Sequence, residues 1–416
     1  MTQAPAKHPL KHLRASDLRA MAQLATQATS GVTQIVEGVH QSVRDTLGMK
    51  GGASPGQTGG LTGLFYRSVQ GVNRMVGKGM DTALVKLLPV LAPGDATHLA
   101  NPEREAVLAV LNGVLGDRLA AEHNILATPM TMRYQGQALN GHTLPAMPDA
   151  SGKILLLIHG LCMSDLQWQT SHDKQPVNHG TSLSKALGYT PVYLRYNSGL
   201  HTSQNGHELA RQLTQLVNRW PVPVEEITVI AHSMGGLLTR SALHDAQQTG
   251  QVWPRYLKNI VFLGTPHHGA PLERAGKWID VILNSTPFSA PFAKLGQLRS
   301  AGITDFRYGH LLDSDWQGHN RFHRQPDSQE PLLLPEGVAC YTVAATLSAQ
   351  RGQLADRLMG DGLVPLPSAL GQHEEPKRSL VFAKDAQHIA YRTGHMALLS
   401  RPEVAEQMVQ WLTPRT

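Results

Sequence analysis

The sequence predicts an α/β fold in which helices cover both faces of a mostly parallel β-sheet. Short apolar runs alternate with stretches whose apolar residues recur every three or four positions, a pattern typical of strands joined by helices. Ile154 to Ile158 is continuously apolar, as a strand buried on both faces requires. Ile227 to Gly236 combines a β-branched run, a serine among small residues and the start of a helical stripe, which predicts a strand, a sharp turn and a helix.

Residues 1–125 are predicted to form a helical extension. Apolar residues spaced three and four apart indicate one helix from Leu18 to Val43, and a weaker pattern containing glycines indicates another from Leu64 to Leu87. Asn101-Pro102-Glu103 supplies a cap residue, a first-turn proline and an acid, which together predict the start of a third helix. The first helix has few Lys or Arg residues on its polar face, which favours packing or self-association over peripheral membrane contact. Self-association and peripheral membrane contact through these helices both stay open.

Residues 126–416 are predicted to form the α/β domain. Loose alternation from Thr131 to Leu139 indicates an edge strand, and Pro402 begins a closing helix. The other predicted strands are Ile154–Ile158, Val192–Tyr196, Ile227–Ala231, Ile260–Leu263, Tyr341–Ala345 and Leu380–Ala383. The segment at about 269–335 interrupts the alternation and is rich in proline, so it is predicted to form a cap or lid insertion.

Composition argues against several classes of protein. The formal net charge is +6 over 416 residues without a block of Lys or Arg, so nucleic acid is not an expected partner. Cys162 and Cys340 do not form a metal-type pair. Two histidines four apart, His319 and His323, lie near acids, but a solvated polar face is favoured, and no metal or other cofactor is expected. No signal sequence or membrane span is apparent, so a cytoplasmic location is expected.

Ser233 is the predicted nucleophile. It stands where the strand turns sharply into a helix, with Ala231 two residues before it and Gly235 two residues after it. Strand and helix crowd together at such a turn, so both positions require small side chains. Met234 follows the serine and would offer its backbone N–H to an oxyanion at the start of the helix.

A serine nucleophile needs a base that is oriented by a third group, and in hydrolases built on a parallel sheet the chain order is serine, acid, histidine. Asp361, flanked by Gly360 and Gly362, is the predicted acid, with Asp356 and Asp385 as competitors. His395 is the predicted base because it lies beyond the last strand and just before the closing helix, and His388 is its competitor.

The second donor to an oxyanion should come from the turn after the first central strand. His159-Gly160-Leu161-Cys162 stands there. Gly160 permits a tight turn, which would direct the backbone N–H of Leu161 at a ligand. His159 is predicted to hold this turn rather than to take part in chemistry.

Together these segments resemble the α/β-hydrolase superfamily, in particular bacterial triacylglycerol lipases and the GPI inositol-deacylase-like esterases. The segments that carry the resemblance are His159-Gly160-Leu161, Ala231-His232-Ser233-Met234-Gly235-Gly236, Gly264-Thr265-Pro266-His267, Gly360-Asp361-Gly362-Leu363-Val364-Pro365 and Gly394-His395. The resemblance covers about residues 130–416. It implies ester hydrolysis by Ser233, Asp361 and His395, with the N–H groups of Leu161 and Met234 forming an oxyanion hole.

The expected activity is therefore hydrolysis of carboxylic esters of acyl lipids through an acyl-enzyme. An acyltransferase or a thioesterase would use the same three residues, so the sequence does not separate these activities. A catalytically inert scaffold at a membrane surface is the alternative from another class. The three intact groups argue against it, because a scaffold has no need of them.

Overall fold

The computed structural model describes residues 102–139, 144–270, 300–318, 330–349 and 360–414. The chain divides into two compact units, residues 1–104 with 123–126 and residues 105–122 with 127–416. Nearly all of the first unit lies outside the described residues, including the helices predicted at 18–43 and 64–87. The boundary predicted at residue 125 assigned residues 105–122 to the extension, whereas these residues group with the sheet. The second unit is described below.

An eight-stranded sheet forms the centre of this unit. Its strands are β1 (Thr131–Tyr134), β2 (Gln137–Ala138), β3 (Lys153–Ile158), β6 (Thr190–Arg195), β7 (Glu226–His232), β8 (Leu257–Leu263), β9 (Ala339–Thr346) and β10 (Gln387–Tyr391). Their order across the sheet is β10-β9-β8-β7-β3-β6-β1-β2. Neighbours from β10 to β6 are parallel, whereas β1 is antiparallel to both β6 and β2. A separate hairpin pairs β4 (Thr170–His172) with β5 (Gln175–Val177).

Helices cover both faces of the sheet, and the central strand shows why. Along β3, Ile154, Leu156 and Ile158 belong to one apolar cluster, and Leu155 and Leu157 belong to the cluster on the opposite face. Side chains of a strand alternate between faces, so a continuous apolar run buries both of them. Each of these side chains contributes about 1.5–3 kcal/mol when fully buried. The predicted fold class, a mostly parallel sheet between helices, is confirmed.

Among the described residues the helices are α1 (Pro102–Ala121), α2 (His179–Leu187), α3 (Thr202–Arg219), α4 (Met234–Gln248), α5 (Ala301–Tyr308), α6 (Leu366–Ala369) and α7 (Pro402–Leu412). α3 and α4 pack on one face through leucines at their apolar stripes, including Leu209 and Leu238. α2 and α7 pack on the other face through Leu183, Val404 and Met408. No helix of the described segments is long and apolar enough to cross a membrane.

The prediction of a strand at Leu380–Ala383 is wrong. This segment is a loop in which Leu380 and Phe382 are buried while Val381 is 87% exposed. The loop therefore shows the alternation of a strand without its pairing. The last strand is β10, which pairs with β9 alone at the edge of the sheet. An edge strand can carry polar residues such as Gln387 and His388, which hides it in the sequence.

The predicted insertion is described only in part, because residues 271–299 and 319–329 lie outside the described residues. Its described portion contains α5 and a short turn at Asp313–Asp315. Asp313 accepts a hydrogen bond from His207, and Asp315 accepts from the N–H groups of Leu311 and Leu312. Within the described segments no cluster of residues could hold a metal ion. His319 and His323 lie outside them.

Candidate active site

Ser233 occupies the sharp turn that joins β7 to α4. Its φ is +56° and its ψ is −124°, a backbone conformation that residues other than glycine rarely adopt. Two backbone hydrogen bonds hold the turn: Ser233 N–H donates to Leu263 O at 2.8 Å, and Gly236 N–H donates to Ser233 O at 3.0 Å. The turn therefore places the hydroxyl at the carboxyl end of the central strands, where the loops that follow the neighbouring strands converge.

As the sequence indicated, strand and helix crowd together around Ser233, which requires small residues beside it. A Cβ atom at Gly235 would lie 2.6 Å from Ile158 O and 2.8 Å from His159 O, so α4 passes β3 too closely for any side chain there. Ala231 is fully buried in β7. Substitution of Gly235 by a larger residue would push α4, and with it the serine turn, away from β3.

The three residues predicted as nucleophile, acid and base lie in one hydrogen-bonded chain. His395 Nε2 is 2.8 Å from Ser233 Oγ, and His395 Nδ1 is 2.7 Å from Asp361 Oδ2. Because the carboxylate oxygen accepts from Nδ1–H, the Nε2 lone pair is available to accept from the serine hydroxyl. All three residues are 2% exposed, so water is largely excluded from these contacts.

Local backbone holds the acid in place. The second carboxylate oxygen of Asp361, Oδ1, accepts from the N–H groups of Leu363 at 2.9 Å and Val364 at 2.7 Å. His395 N–H donates to Asp361 O at 3.0 Å, which ties the loop of the base to the loop of the acid. The carboxylate is thereby oriented with Oδ2 toward the imidazole.

Gly264, at the end of β8, leaves room for the acid and the base. Its φ is +59°, and a Cβ atom there would lie 3.3 Å from both Asp361 Oδ2 and His395 Cε1. The same atom would lie 2.8 Å from Leu398 Cδ1. The glycine of the Gly264-Thr265-Pro266-His267 segment thus clears the space in which the imidazole meets the carboxylate.

The competing residues lie elsewhere. His388 is part of β10, where its backbone pairs with Val343, and burial lowers its pKa from the usual value. Asp385 is exposed in a turn before β10. Asp356 lies outside the described residues. The structure therefore brings together Ser233, Asp361 and His395, and among the described residues it brings neither His388 nor Asp385 to the serine.

The 159–162 turn lies directly beside Ser233, because a Cβ atom at Gly160 would be 2.8 Å from Ser233 Cβ. His159 is fully buried and stacks on Tyr196, with ring centroids 4.3 Å apart. Burial lowers its pKa to about 4, so the ring is neutral, and its Nδ1–H donates to Gly160 O at 2.9 Å. In a planar trans peptide the N–H points opposite to the C=O. Fixing Gly160 O therefore fixes the direction of Leu161 N–H.

Met234, the other predicted donor, is the first residue of α4. The first N–H groups of a helix have no partner within the helix, and they lie at its positive end. Met234 follows Ser233 directly, so its N–H is close to any group bonded to the serine. Both predicted donors thus lie beside the nucleophile, and their role in binding an oxyanion stays a proposal.

The sequence reasoning did not assign a role to His232. This histidine is fully buried, and its Nε2 is 3.2 Å from His395 O, so its Nε2–H supports the loop of the base. Burial, together with the nearby His395, lowers its pKa well below the usual value and keeps it neutral. A neutral neighbour does not oppose a positive charge on His395. In the sequence, the position of His232 immediately before the nucleophile was the only feature that could have indicated this role.

Comparison with known proteins gives likenesses at low identity. A family model described as a domain of unknown function, DUF7379, matches residues 121–305, and no curated protein sequence matches the chain. The chain is similar to the mature form of the lipase BlEst2 from Bacillus licheniformis, with 16% identity, a TM-score of 0.39, and coverage of 68% of this chain and 98% of that one.

Two further structures illustrate the range of these likenesses. One is a lipase-esterase related protein from Clostridium acetobutylicum, with 12% identity, a TM-score of 0.34, and coverage of 64% of this chain and 96% of that one. The other is the thioesterase domain SrfTE, with 12% identity, a TM-score of 0.32, and coverage of 70% of this chain and 97% of that one. At these identities the likeness concerns the fold alone.

Proposed function

We propose that this protein is a serine hydrolase that cleaves carboxylic esters of acyl lipids through an acyl-enzyme. The observation that carries the proposal is the buried chain from Ser233 Oγ through His395 to Asp361, with distances of 2.8 Å and 2.7 Å. A serine hydroxyl is a weak nucleophile, and an oriented histidine is what activates it. A fluorophosphonate probe tests the proposal directly, because such probes label activated serines, and the labelled peptide should contain Ser233.

In the first half of the reaction, Ser233 Oγ attacks the carbonyl carbon of the ester while its proton passes to His395 Nε2. Asp361 stabilises the imidazolium that forms. The carbonyl oxygen becomes an oxyanion that accepts from the N–H groups of Leu161 and Met234, the two donors that we assign to this role. Collapse of this intermediate expels the alcohol, which takes its proton from His395.

In the second half, a water molecule gives a proton to His395 Nε2 and attacks the acyl group on Ser233. The second oxyanion collapses, the carboxylic acid leaves, and Ser233 Oγ recovers its proton from His395. An acyltransferase would use an alcohol in place of this water, and a thioesterase would differ only in the leaving group. Product analysis with water as the sole acceptor, and with an oxygen ester beside its thioester, separates these alternatives.

Asp361→Asn is expected to lower kcat by a factor on the order of 10⁴. The substitution retains the size of the side chain but removes the charge that supports the imidazolium and that selects the Nδ1–H tautomer of His395. Steady-state kinetics with a short soluble ester measure the loss. Asp385→Asn is the matched control, because Asp385 is an exposed acid in the same part of the chain. A decrease of less than about tenfold for Asp361→Asn would remove Asp361 from the proposed role.

The preference for apolar acyl chains has two supports. Leu347 lies at the end of β9, 49% exposed, and its Cδ atoms lie 3.6 Å and 3.7 Å from the positions of a Cβ atom at Gly362 and Gly394. An apolar side chain is therefore exposed beside the loops of the acid and the base. The sequence of the predicted insertion, outside the described residues, contains several apolar residues within fifteen positions and is expected to cover the site: Trp278, Ile279, Val281, Ile282, Leu283, Phe288 and Phe292. Apolar residues at the mouth of a site favour an apolar ligand.

An ester series from acetate to octanoate is expected to show kcat/KM rising with chain length. Each methylene that is fully buried contributes about 0.8 kcal/mol, which corresponds to about fourfold in kcat/KM. The measurement uses one leaving group throughout, at substrate concentrations below micelle formation. Hydrolysis of the acetate ester without hydrolysis of the octanoate ester would contradict a lipid substrate while leaving the esterase chemistry intact.

A further inference from the structure

Helix α1 precedes the sheet in the chain and packs against the 159–162 turn. A Cβ atom at Gly113 would lie 2.2 Å from Cys162 Sγ, 2.8 Å from Cys162 Cα and 2.9 Å from Cys162 N. Glycine at this position therefore sets how closely the helix approaches the turn. Cys162 has a φ of +59°, a conformation that is costly for a residue with a side chain and that surrounding packing must maintain. The Cys162 side chain is 3% exposed, and burial raises its pKa to about 12, so it acts as a packed thiol.

A second contact reaches the same turn through the loop at residues 197–199. Cys162 N–H donates to Ser198 Oγ at 3.0 Å. This loop is itself held by α1, because Asn197 Nδ2 donates to Gly116 O at 2.9 Å, and a Cβ atom at Gly199 would lie 2.1 Å from Asn112 O. α1 therefore restrains the peptide that follows Leu161 both directly and through Ser198.

A third contact holds the far side of the turn. Glu105 of α1 lies 2.6 Å from Arg195 at the end of β6, and Arg195 Nε donates to Asp165 just beyond the turn. Asp165 also lies 3.2 Å from Arg133 Nε. The side chains of Glu105, Arg195 and Asp165 are 14%, 12% and 6% exposed, so solvent screens these ion pairs less than it screens pairs at the surface.

We infer that α1 is part of the active-site scaffold, and that Gly113 is a positioning residue for the backbone N–H of Leu161. The inference rests on the proposed function, because Leu161 N–H is the proposed oxyanion donor. An oxyanion donor acts only when it lies about 2.7–3.1 Å from the developing charge, and loss of one donor costs on the order of 10²–10³ in kcat. A side chain at position 113 must displace the 159–162 turn or the helix. A displaced turn changes the direction of Leu161 N–H, and a displaced helix shifts the 197–199 loop, whose Ser198 holds Cys162 N–H.

Gly113→Ala in the full chain is expected to lower kcat by about tenfold to a hundredfold with KM changed less than about twofold, because the oxyanion forms only in the transition state. The rate of fluorophosphonate labelling should fall in parallel. The pH dependence of kcat/KM should keep its shape, because the substitution leaves His395 and Asp361 untouched. This combination separates a displaced donor from general loss of structure, which would lower the concentration of labelled protein instead.

Gly206→Ala is the matched control. Gly206 is also a buried glycine in a helix, and a Cβ atom there would lie 2.3 Å from Ser241 Oγ, away from the 159–162 turn. It should lower the melting temperature without lowering kcat. Ser198→Ala is a second variant that adds no volume. It removes the acceptor of Cys162 N–H and is expected to lower kcat as well, by a smaller factor than Gly113→Ala.

Folded Gly113→Ala and Ser198→Ala proteins that both keep kcat within about twofold of wild type would overturn the inference, since a lost donor should cost far more. If Gly113→Ala does not fold, the kcat of Ser198→Ala decides the question alone. Wild-type protein that neither hydrolyses esters nor reacts with the probe would remove the proposed function and this inference with it. Measuring wild-type activity first therefore distinguishes the two failures.

Discussion

Ser233→Ala is expected to lower ester hydrolysis by a factor on the order of 10⁶ and to abolish fluorophosphonate labelling. The hydroxyl is the proposed attacking atom, and within the turn between β7 and α4 an alanine has no group that could replace it. The turn accommodates alanine without new contacts, so the variant should fold. Circular dichroism and thermal melting establish that it has folded, and steady-state kinetics with a short soluble ester measure the loss.

Ser171→Ala provides the control for this experiment. Ser171 is exposed in the hairpin of β4 and β5, outside the eight-stranded sheet, so its substitution should leave both hydrolysis and labelling unchanged. Identification of the labelled peptide by mass spectrometry gives an independent check. Covalent attachment of the probe to a residue other than Ser233 would show that the nucleophile lies elsewhere.

The fold and the serine turn were predictable because their signals are local. The apolar run of β3 must alternate between two buried faces, and the small residues around Ser233 are required by a crossing at which a Cβ on Gly235 would lie 2.6 Å from a carbonyl oxygen. Such requirements depend on residues close in the sequence or on the period of the pattern. The sequence predicted that Asp361 and His395 act together only from their order in the chain. Their 2.7 Å contact is known from the structure alone.

The errors have equally physical causes. β10 was overlooked because its faces are only partly covered: of its five residues Ala390 alone is buried, so the others need not be apolar. The loop at Leu380–Ala383 was taken for a strand because it buries alternate side chains without pairing. Residues 105–122, which the prediction placed in the extension, group with the sheet through contacts of α1 that join residues far apart in the chain, such as Gly113 with Cys162. A glycine in a helix pattern does not reveal what packs against it.

The buried triad also bears on the alternative of an inert scaffold. Asp361 and His395 are each 2% exposed, and burial of a polar group costs free energy unless hydrogen bonds compensate it. The carboxylate of Asp361 accepts three hydrogen bonds, and Gly264 clears the space beside it. A scaffold could carry apolar residues at these positions, because buried apolar side chains need no hydrogen-bond partners. The arrangement is therefore better explained by catalysis than by structural support.

His395→Ala is expected to lower kcat by a factor on the order of 10⁶, comparable to loss of the nucleophile, because serine and histidine act as one unit. Without the imidazole, Ser233 Oγ has no group to take its proton, and Asp361 has no partner for Oδ2. Fluorophosphonate labelling should slow by a similar factor, since the probe also requires an activated hydroxyl. Kinetics and labelling of the folded variant provide the measurement.

His388→Ala is the matched control, because His388 is the nearby histidine that competes for the role of base. It lies within β10 with its backbone paired to Val343, seven residues before His395 in the chain. Its substitution should reduce stability slightly through lost packing and leave kcat within about twofold, since it makes no contact with Ser233. An active His395→Ala protein beside an inactive His388→Ala protein would reverse the assignment of the base. Such a result would require the loop at residues 392–395 to rearrange on substrate binding, because the 2.8 Å contact with Ser233 Oγ belongs to His395.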